Sequence, residues 1–317
     1  MGRSVPQQRR TEGPAAREGA APRPPSRAGP RAHTREWSEP GRCALPARGR
    51  LPHGVSFPKR TGFDAVGQVV AGSSGPIKVG DWVAVVLGLE PLRGRGTTVE
   101  LLAVEPSRCG RFPAGYVPSV EDCALVLGGL TALRAVRNGL RVRRGDRLLV
   151  VGAGGPVGMA AIQIARGCGA SVDAIAGRTA LERCRGLGAE HVRDYRSPEA
   201  EAMRGSRSYD GVVVAAGSPA AWFGAACRGA TAALTDGGSW LPSVPAAMRA
   251  GVHSVPIAAG HDCDDLTWLA RRIAAGELVP VVGRRYGAAE VGRAHAELGS
   301  GGTCGARIID HRDAPAL

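Results

Sequence analysis

Leu148–Ala170 reads LLVVGAGGPVGMAAIQIARGCGA. An apolar run, Leu148 to Val151, enters a glycine-rich turn that opens directly into a helix-periodic segment. Strand, glycine turn and helix together are the context in which a glycine spacing becomes a dinucleotide site. The spacing is Gly152-x-x-Gly155-x-x-Gly158, one residue longer than GxGxxG. Gly152 permits the tight turn. Gly155 lets the backbone approach a pyrophosphate. Gly158 lets the helix lie close to its strand. Pro156 and Val157 fall in the first turn, where unpaired N–H groups face an anion.

Around this unit strands and helices alternate. Strands are expected at 147–151, 171–176, 191–192, 210–215, 230–235 and 251–258. Helices are expected at 157–168 and 180–187. Such alternation over about 110 residues implies an open parallel sheet. Upstream, 65–71, 82–87 and 98–104 read as short strands separated by Gly and Pro, and 119–138 as a helix. Downstream, 266–275 and 288–298 read as helices and 306–309 as a closing strand.

The chain has 317 residues and a formal charge of +13, enough length for one large or two medium domains. The charge is uneven. Residues 1–60 carry a net +9, and the remaining 257 only +4. Nearly every cation is Arg, with Lys only at 59 and 78. That distribution argues against a nucleic-acid face on the folded body. Residues 1–50 are rich in Pro, Arg, Gly and Ala, and a mostly disordered tail is expected there. Eight scattered cysteines without a CxxC pair suit a reduced, cytoplasmic protein. No apolar run is long enough to span a bilayer, and no signal-peptide core is visible.

Five segments carry a family resemblance: Gly62-Phe63-Asp64-Ala65-Val66-Gly67, Lys78-Val79-Gly80-Asp81-Trp82-Val83, Gly129-Leu130-Thr131-Ala132, the turn Gly152–Gly158, and Leu187-Gly188-Ala189-Glu190-His191-Val192 with Asp194-Tyr195. From about 57 to 310 the chain resembles medium-chain dehydrogenase/reductases, in particular the zinc-independent, quinone oxidoreductase-like branch. The resemblance implies an α/β fold: a Rossmann doubly wound parallel sheet plus an incomplete GroES-like β domain. Expected boundaries are a partial GroES-like domain at 51–127, the Rossmann NADP-binding domain at 128–258, and a segment returning to the first domain at 259–317. A small-molecule substrate and a homodimer are further implications.

The cofactor implied is NADPH. NAD sites usually place an Asp or Glu at the end of the second strand, on the ribose 2′-OH. Here that position is Gly177, followed by Arg178, so a guanidinium stands where a carboxylate would repel a 2′-phosphate. Tyr195 matches a family tyrosine at the adenosine phosphate. Ala216 and Gly217 match the loop under the nicotinamide ribose. Thr131 matches a residue near the nicotinamide, or else bonds its own helix backbone. Asp173 lies mid-strand, buried or beside the cofactor. Zinc is argued against because Phe63 stands where zinc-dependent relatives carry His.

The family's first 50 or so residues normally line the substrate pocket with N-x-x-D and a tyrosine. No Asn or Tyr occurs here before residue 60, and no catalytic acid is assigned. The expected activity is hydride transfer from NADPH to a quinone or an activated C=C. The alternatives are a non-catalytic NADPH-binding protein derived from a reductase, and a truncated gene product.

Overall fold

Leu148, Leu149, Val150 and Val151 are all buried. A strand covered on both faces takes apolar side chains at every position rather than at alternate ones. In the computed structural model this strand lies at the middle of a six-stranded sheet whose pairings are all parallel. The structure describes residues 31–33, 36–38, 60–72, 75–258, 260, 262–298 and 304–313. Numbered along the chain, the sheet's strands are β7 (Arg147–Val151), β8 (Ser171–Ala176), β9 (His191–Asp194), β10 (Tyr209–Val214), β11 (Ala226–Leu234) and β12 (His253–Pro256). Their spatial order is β12-β11-β10-β7-β8-β9. The chain reverses direction across the sheet between β7 and β10. Open sheets of this kind bind ligands at that switch point, outside the carboxyl ends of the strands.

The two faces of β7 are covered separately. Leu148 and Val150 join Leu130 of α1 (Val126–Arg134) and Ile162 of α2 (Pro156–Gly167). Leu149 and Val151 join Val212, Leu234 and Trp222. Three further helices are α3 (Leu181–Gly186), α4 (Pro198–Met203) and α5 (Gly237–Ala250). The expected helix at 119–138 is three pieces, a 3₁₀ turn, α1 and a π turn.

The second sheet is mostly antiparallel and draws on both ends of the chain. Its strands are β1 (Arg31–His33), β2 (Glu36–Ser38), β3 (Asp64–Ala71), β4 (Trp82–Val86), β5 (Leu101–Ala103), β6 (Cys109–Arg111), β13 (Val282–Gly287) and β14 (Ala306–Asp310). β1 pairs with β3 and β5, and β2 bridges β3 and β14. Within the stretch 1–50, where a mostly disordered tail is expected, residues 31–33 and 36–38 form strands. The rest of that tail lies outside the described residues. Three-residue strands held by backbone pairing carry too little side-chain periodicity to be read from sequence.

Two helices return the chain to this sheet, α6 (Cys263–Ala274) and α7 (Val291–Leu298). Asp265 of α6 is buried and pairs with Arg134 at 3.3 Å and with Arg137, which ties α6 to the end of α1. The Gln163 amide on α2 both donates to the Val279 carbonyl (3.1 Å) and accepts from the Val279 N–H (2.7 Å). Among the described residues no helix is long and apolar enough to cross a membrane.

Candidate functional site

A cavity of about 1010 Å³ opens at the carboxyl ends of β7, β8, β10 and β11. Its floor is the glycine turn, and each glycine there has a distinct reason. Gly152 has a φ of +77°, and a Cβ on it would stand 2.7 Å from both Cβ and N of Ala216. A Cβ on Gly158 would stand 2.5 Å from the Ala153 Cα and the Gly152 carbonyl oxygen. Both are therefore glycines because backbone approaches backbone. Gly155 differs. A Cβ there would meet nothing nearer than the Gly152 oxygen at 3.7 Å, so its missing side chain leaves room in the cavity. Gly155 is also the N-cap of α2 and has no side-chain cap, with Pro156 next in line. The first-turn N–H groups and the helix dipole are thus directed at the cavity.

Gly154 has a further part. Its carbonyl accepts the Gly305 N–H at 3.0 Å, which joins the turn to the segment entering β14. Behind the turn the Cys184 thiol donates to the Ala153 carbonyl at 3.5 Å. Burial, followed by the neighbouring Cys304, pushes that thiol up to about 12, so it stays protonated.

One end of the cavity is cationic. Gly177, Arg178, Tyr195 and Arg196 all line it. A Cβ on Gly177 would lie 3.8 Å from the Tyr195 ring, and the Arg196 guanidinium lies 4.6 Å from the centre of that ring. A carboxylate does stand nearby, supplied by the third strand rather than the second. Asp194 Oδ2 lies 3.8 Å from Arg178 Nε. The Arg178 side chain is 89% exposed and that of Asp194 15%. At the other end lie Ala216, Gly217, Thr235, Asp236 and Ser239. Asp236 caps α5, accepting the Gly238 N–H at 3.0 Å.

Of the residues singled out in the sequence, Gly152, Gly155, Pro156, Val157, Gly158, Gly177, Arg178, Tyr195, Ala216 and Gly217 line this one cavity. Thr131 does not. It is buried, and its hydroxyl donates to the Leu127 carbonyl at 2.9 Å, the backbone bond of its own helix. Asp173 also lies away from the cavity. It accepts the Tyr209 hydroxyl at 2.8 Å and meets His191 Nδ1 at 2.9 Å, so its burial is satisfied by partners within the sheet.

Sequence reasoning missed Arg307. This arginine is 3% exposed, belongs to β14, lines the cavity and donates to the Glu297 carbonyl at 3.0 Å. The signal was available: a lone arginine inside the apolar closing strand Ala306-Arg307-Ile308-Ile309. A second missed pair is Trp222 with the Arg204 guanidinium 5.1 Å from its ring centre, both at the cavity wall.

The chain is 30% identical over 268 residues to a chloroplast envelope quinone oxidoreductase homolog of Arabidopsis thaliana, covering 80% of each chain. It belongs to the quinone oxidoreductase-like medium-chain dehydrogenase/reductases. A zinc-binding dehydrogenase family model matches residues 187–309. The NAD(P)H oxidoreductase RTN4IP1, mitochondrial, of Bos taurus is 33% identical over 166 residues, half of this chain and 40% of that one. Among solved structures, the quinone oxidoreductase from Coxiella burnetii superposes with a TM-score of 0.77 at 20% identity, covering 89% of this chain and 90% of that one. That structural likeness supports the fold. This quinone oxidoreductase-like chain is accordingly a member of an oxidoreductase family.

Proposed function

We propose that the cavity binds NADPH and that the protein reduces a quinone or an activated C=C without zinc. The observation that carries the cofactor choice is the cationic end of the cavity, where Arg178 and Arg196 flank Tyr195 beside Gly177. A 2′-phosphate is a dianion, and a guanidinium fork suits it in charge and shape. Gly155 leaves the space a pyrophosphate needs, and the α2 N-terminus and buried Arg307 supply positive potential around it. The glycine cradle thus fits a dinucleotide. Bound there, the nicotinamide supplies the hydride, and the protein contributes position and electrostatics.

Zinc independence rests on the donor set. Phe63 stands at the position where zinc-dependent relatives carry histidine, and a phenyl ring cannot ligate a metal. Among the described residues no three His, Cys, Asp or Glu side chains come together at metal-binding range. The quinone half of the substrate reading follows the Arabidopsis and Coxiella relatives, whose names state quinone oxidoreductase.

The test is calorimetric titration with NADPH and NADH, followed by NADPH oxidation against a panel of quinones and enones. The expected result is tighter NADPH binding and turnover of at least one acceptor class. Equal affinity for the two cofactors overturns the NADPH reading. Tight binding with no acceptor reduced overturns the reductase reading.

A further inference from the structure

We infer that Asp194 is a positioning residue that holds Arg178 in the orientation that selects the 2′-phosphate. The inference rests on the NADPH reading above and deepens it.

Arg178 begins the 3₁₀ turn after β8. Its side chain is 89% exposed, so by itself it would sample many rotamers, and fixing it on a ligand would cost entropy. Asp194 removes part of that freedom. It ends β9, where the Tyr195 N–H donates to the Ala176 carbonyl at 3.0 Å and locks the strand end against β8. Asp194 Oδ1 accepts the Arg196 N–H at 3.0 Å, and its main-chain carbonyl accepts the Ser197 N–H at 2.9 Å. One carboxylate oxygen is therefore held by a backbone N–H, and the main chain that carries it by a second. Its second oxygen faces the Arg178 guanidinium.

Which nitrogen it faces matters. The closest approach is to Nε, at 3.8 Å. Nε is the nitrogen nearest the stem, so engaging it leaves the terminal fork for a second anion. A guanidinium has five donors in a fixed plane and can hold one carboxylate at its side and a phosphate at its end. A contact of 3.8 Å with a mostly exposed partner adds little to stability. What it does supply is direction. Tyr195 and Arg196 complete the same face, the guanidinium of Arg196 resting on the Tyr195 ring at 4.6 Å. One short segment, Asp194-Tyr195-Arg196, thus furnishes a phenol, a second cation and the acceptor that aims the first cation.

Repulsion between Asp194 and the phosphate opposes this effect. With a phosphate on its terminal fork, the guanidinium would lie between the two anions, and salt screens their repulsion over a length of about 8 Å. On this inference orientation outweighs the repulsion, so that removing the carboxylate lowers selectivity.

The experiment measures dissociation constants of the full chain for 2′,5′-ADP and 5′-AMP, which differ only in the 2′-phosphate. D194N keeps an oxygen for the Arg196 N–H and loses only the charge facing Arg178. We expect the wild type to prefer 2′,5′-ADP, and D194N to lower that preference about two- to fivefold, with 5′-AMP affinity within about twofold of wild type. In an R178A background D194N should change nothing further, because the residue it aims is gone. R178K supplies an independent arm. It keeps the charge but lacks Nε, and should lose most of the preference that R178A loses. If the wild type shows no preference, the NADPH reading fails. If the preference exists but D194N leaves it unchanged or raises it, the positioning role is overturned. Equal weakening of both ligands by D194N overturns it as well, since that reports only a structural role.

Discussion

Gly155 and Gly158 are three residues apart in one turn, yet they face opposite constraints. At Gly158 a Cβ would run into backbone atoms at 2.5 Å, which cannot move as a flexible side chain can. Gly158→Ala should therefore destabilise the fold by about 1–3 kcal/mol, the usual range for overpacking. At Gly155 the backbone sits at φ −90° and ψ 168°, open to any residue, and a Cβ meets nothing inside 3.7 Å. Gly155→Ala should cost within about 1 kcal/mol of stability, an N-cap effect, while cofactor affinity falls because the methyl group occupies the pyrophosphate's place. Thermal melting and titration of the two variants separate the roles. A stable Gly158→Ala protein, or unimpaired binding by Gly155→Ala, would contradict the assignment. Arg178→Ala belongs to the same scale. A charged hydrogen bond is worth about 1.5–3 kcal/mol, and exposure reduces that, so we expect about a tenfold loss of NADPH affinity. NADH, which has no 2′-phosphate, should be affected far less. Equal losses for both cofactors would remove Arg178 from the phosphate site.

Elements differ in how plainly the sequence announces them. β7, β8 and β10 are legible because a strand covered on both faces carries consecutive apolar residues, here the runs LLVV, AIA and VVV, beside which the buried Asp173 of β8 is the polar exception. α5 is the opposite case. Pro242 and Pro245 sit inside it, each removing a helix donor. Its ends are nonetheless well marked, by the Asp236 cap and by Gly251 at a φ of 68°. β13 (Val282–Gly287) shows three exposed residues in a row, so no alternation identifies it. In the site, the glycine turn was legible because its spacing is local. Arg307 was not, because it reaches the cavity through strand pairing between distant segments, and the part of Asp194 was not, because it meets Arg178 only where β9 pairs with β8. The end of β14 carries a prediction of its own. Burial alone would raise the Asp310 carboxyl, but hydrogen bonds and charge from Arg312, then charge from Arg285, hold it at about 2 against an ordinary 3.8. A carboxylate depressed in the folded state stabilises above its unfolded pKa and loses that contribution as pH falls through the folded one. At about 1.36 kcal/mol per unit, about 2 kcal/mol should vanish between about pH 4 and pH 2. In Asp310→Asn that segment of the acid limb should flatten, as read from urea midpoints across the range. An acid limb as steep as wild type would show that the loss arises elsewhere.

At the scale of the whole molecule, the two sheets meet at the glycine turn. The Gly305 N–H donates to the Gly154 carbonyl, and Arg307, two residues on, lines the cavity from the β14 side. A dinucleotide bound on the glycine turn, as proposed, would be touched by both sheets, although all the strands under it belong to one. Ligand binding to the folded state alone stabilises it by about 2.7 kcal/mol at a hundredfold excess over Kd. For a folded body of this size that corresponds to a rise of about 5–10 °C in melting temperature. The distribution of that stabilisation is more informative than its size. If NADPH bridges the sheets, hydrogen exchange should slow together at residues 152–158 and 305–307. Exchange at β5, which pairs with β1 on the far side of the second sheet, should be unchanged. Protection confined to 152–158 would mean that the cofactor is held by the parallel sheet alone and that Arg307 is a packing residue. Arg307→Met tests the same link from the other side. It retains an unbranched side chain of similar length in a buried strand and removes the charge. The 305–307 protection and part of the NADPH affinity should be lost together, because one guanidinium carries both.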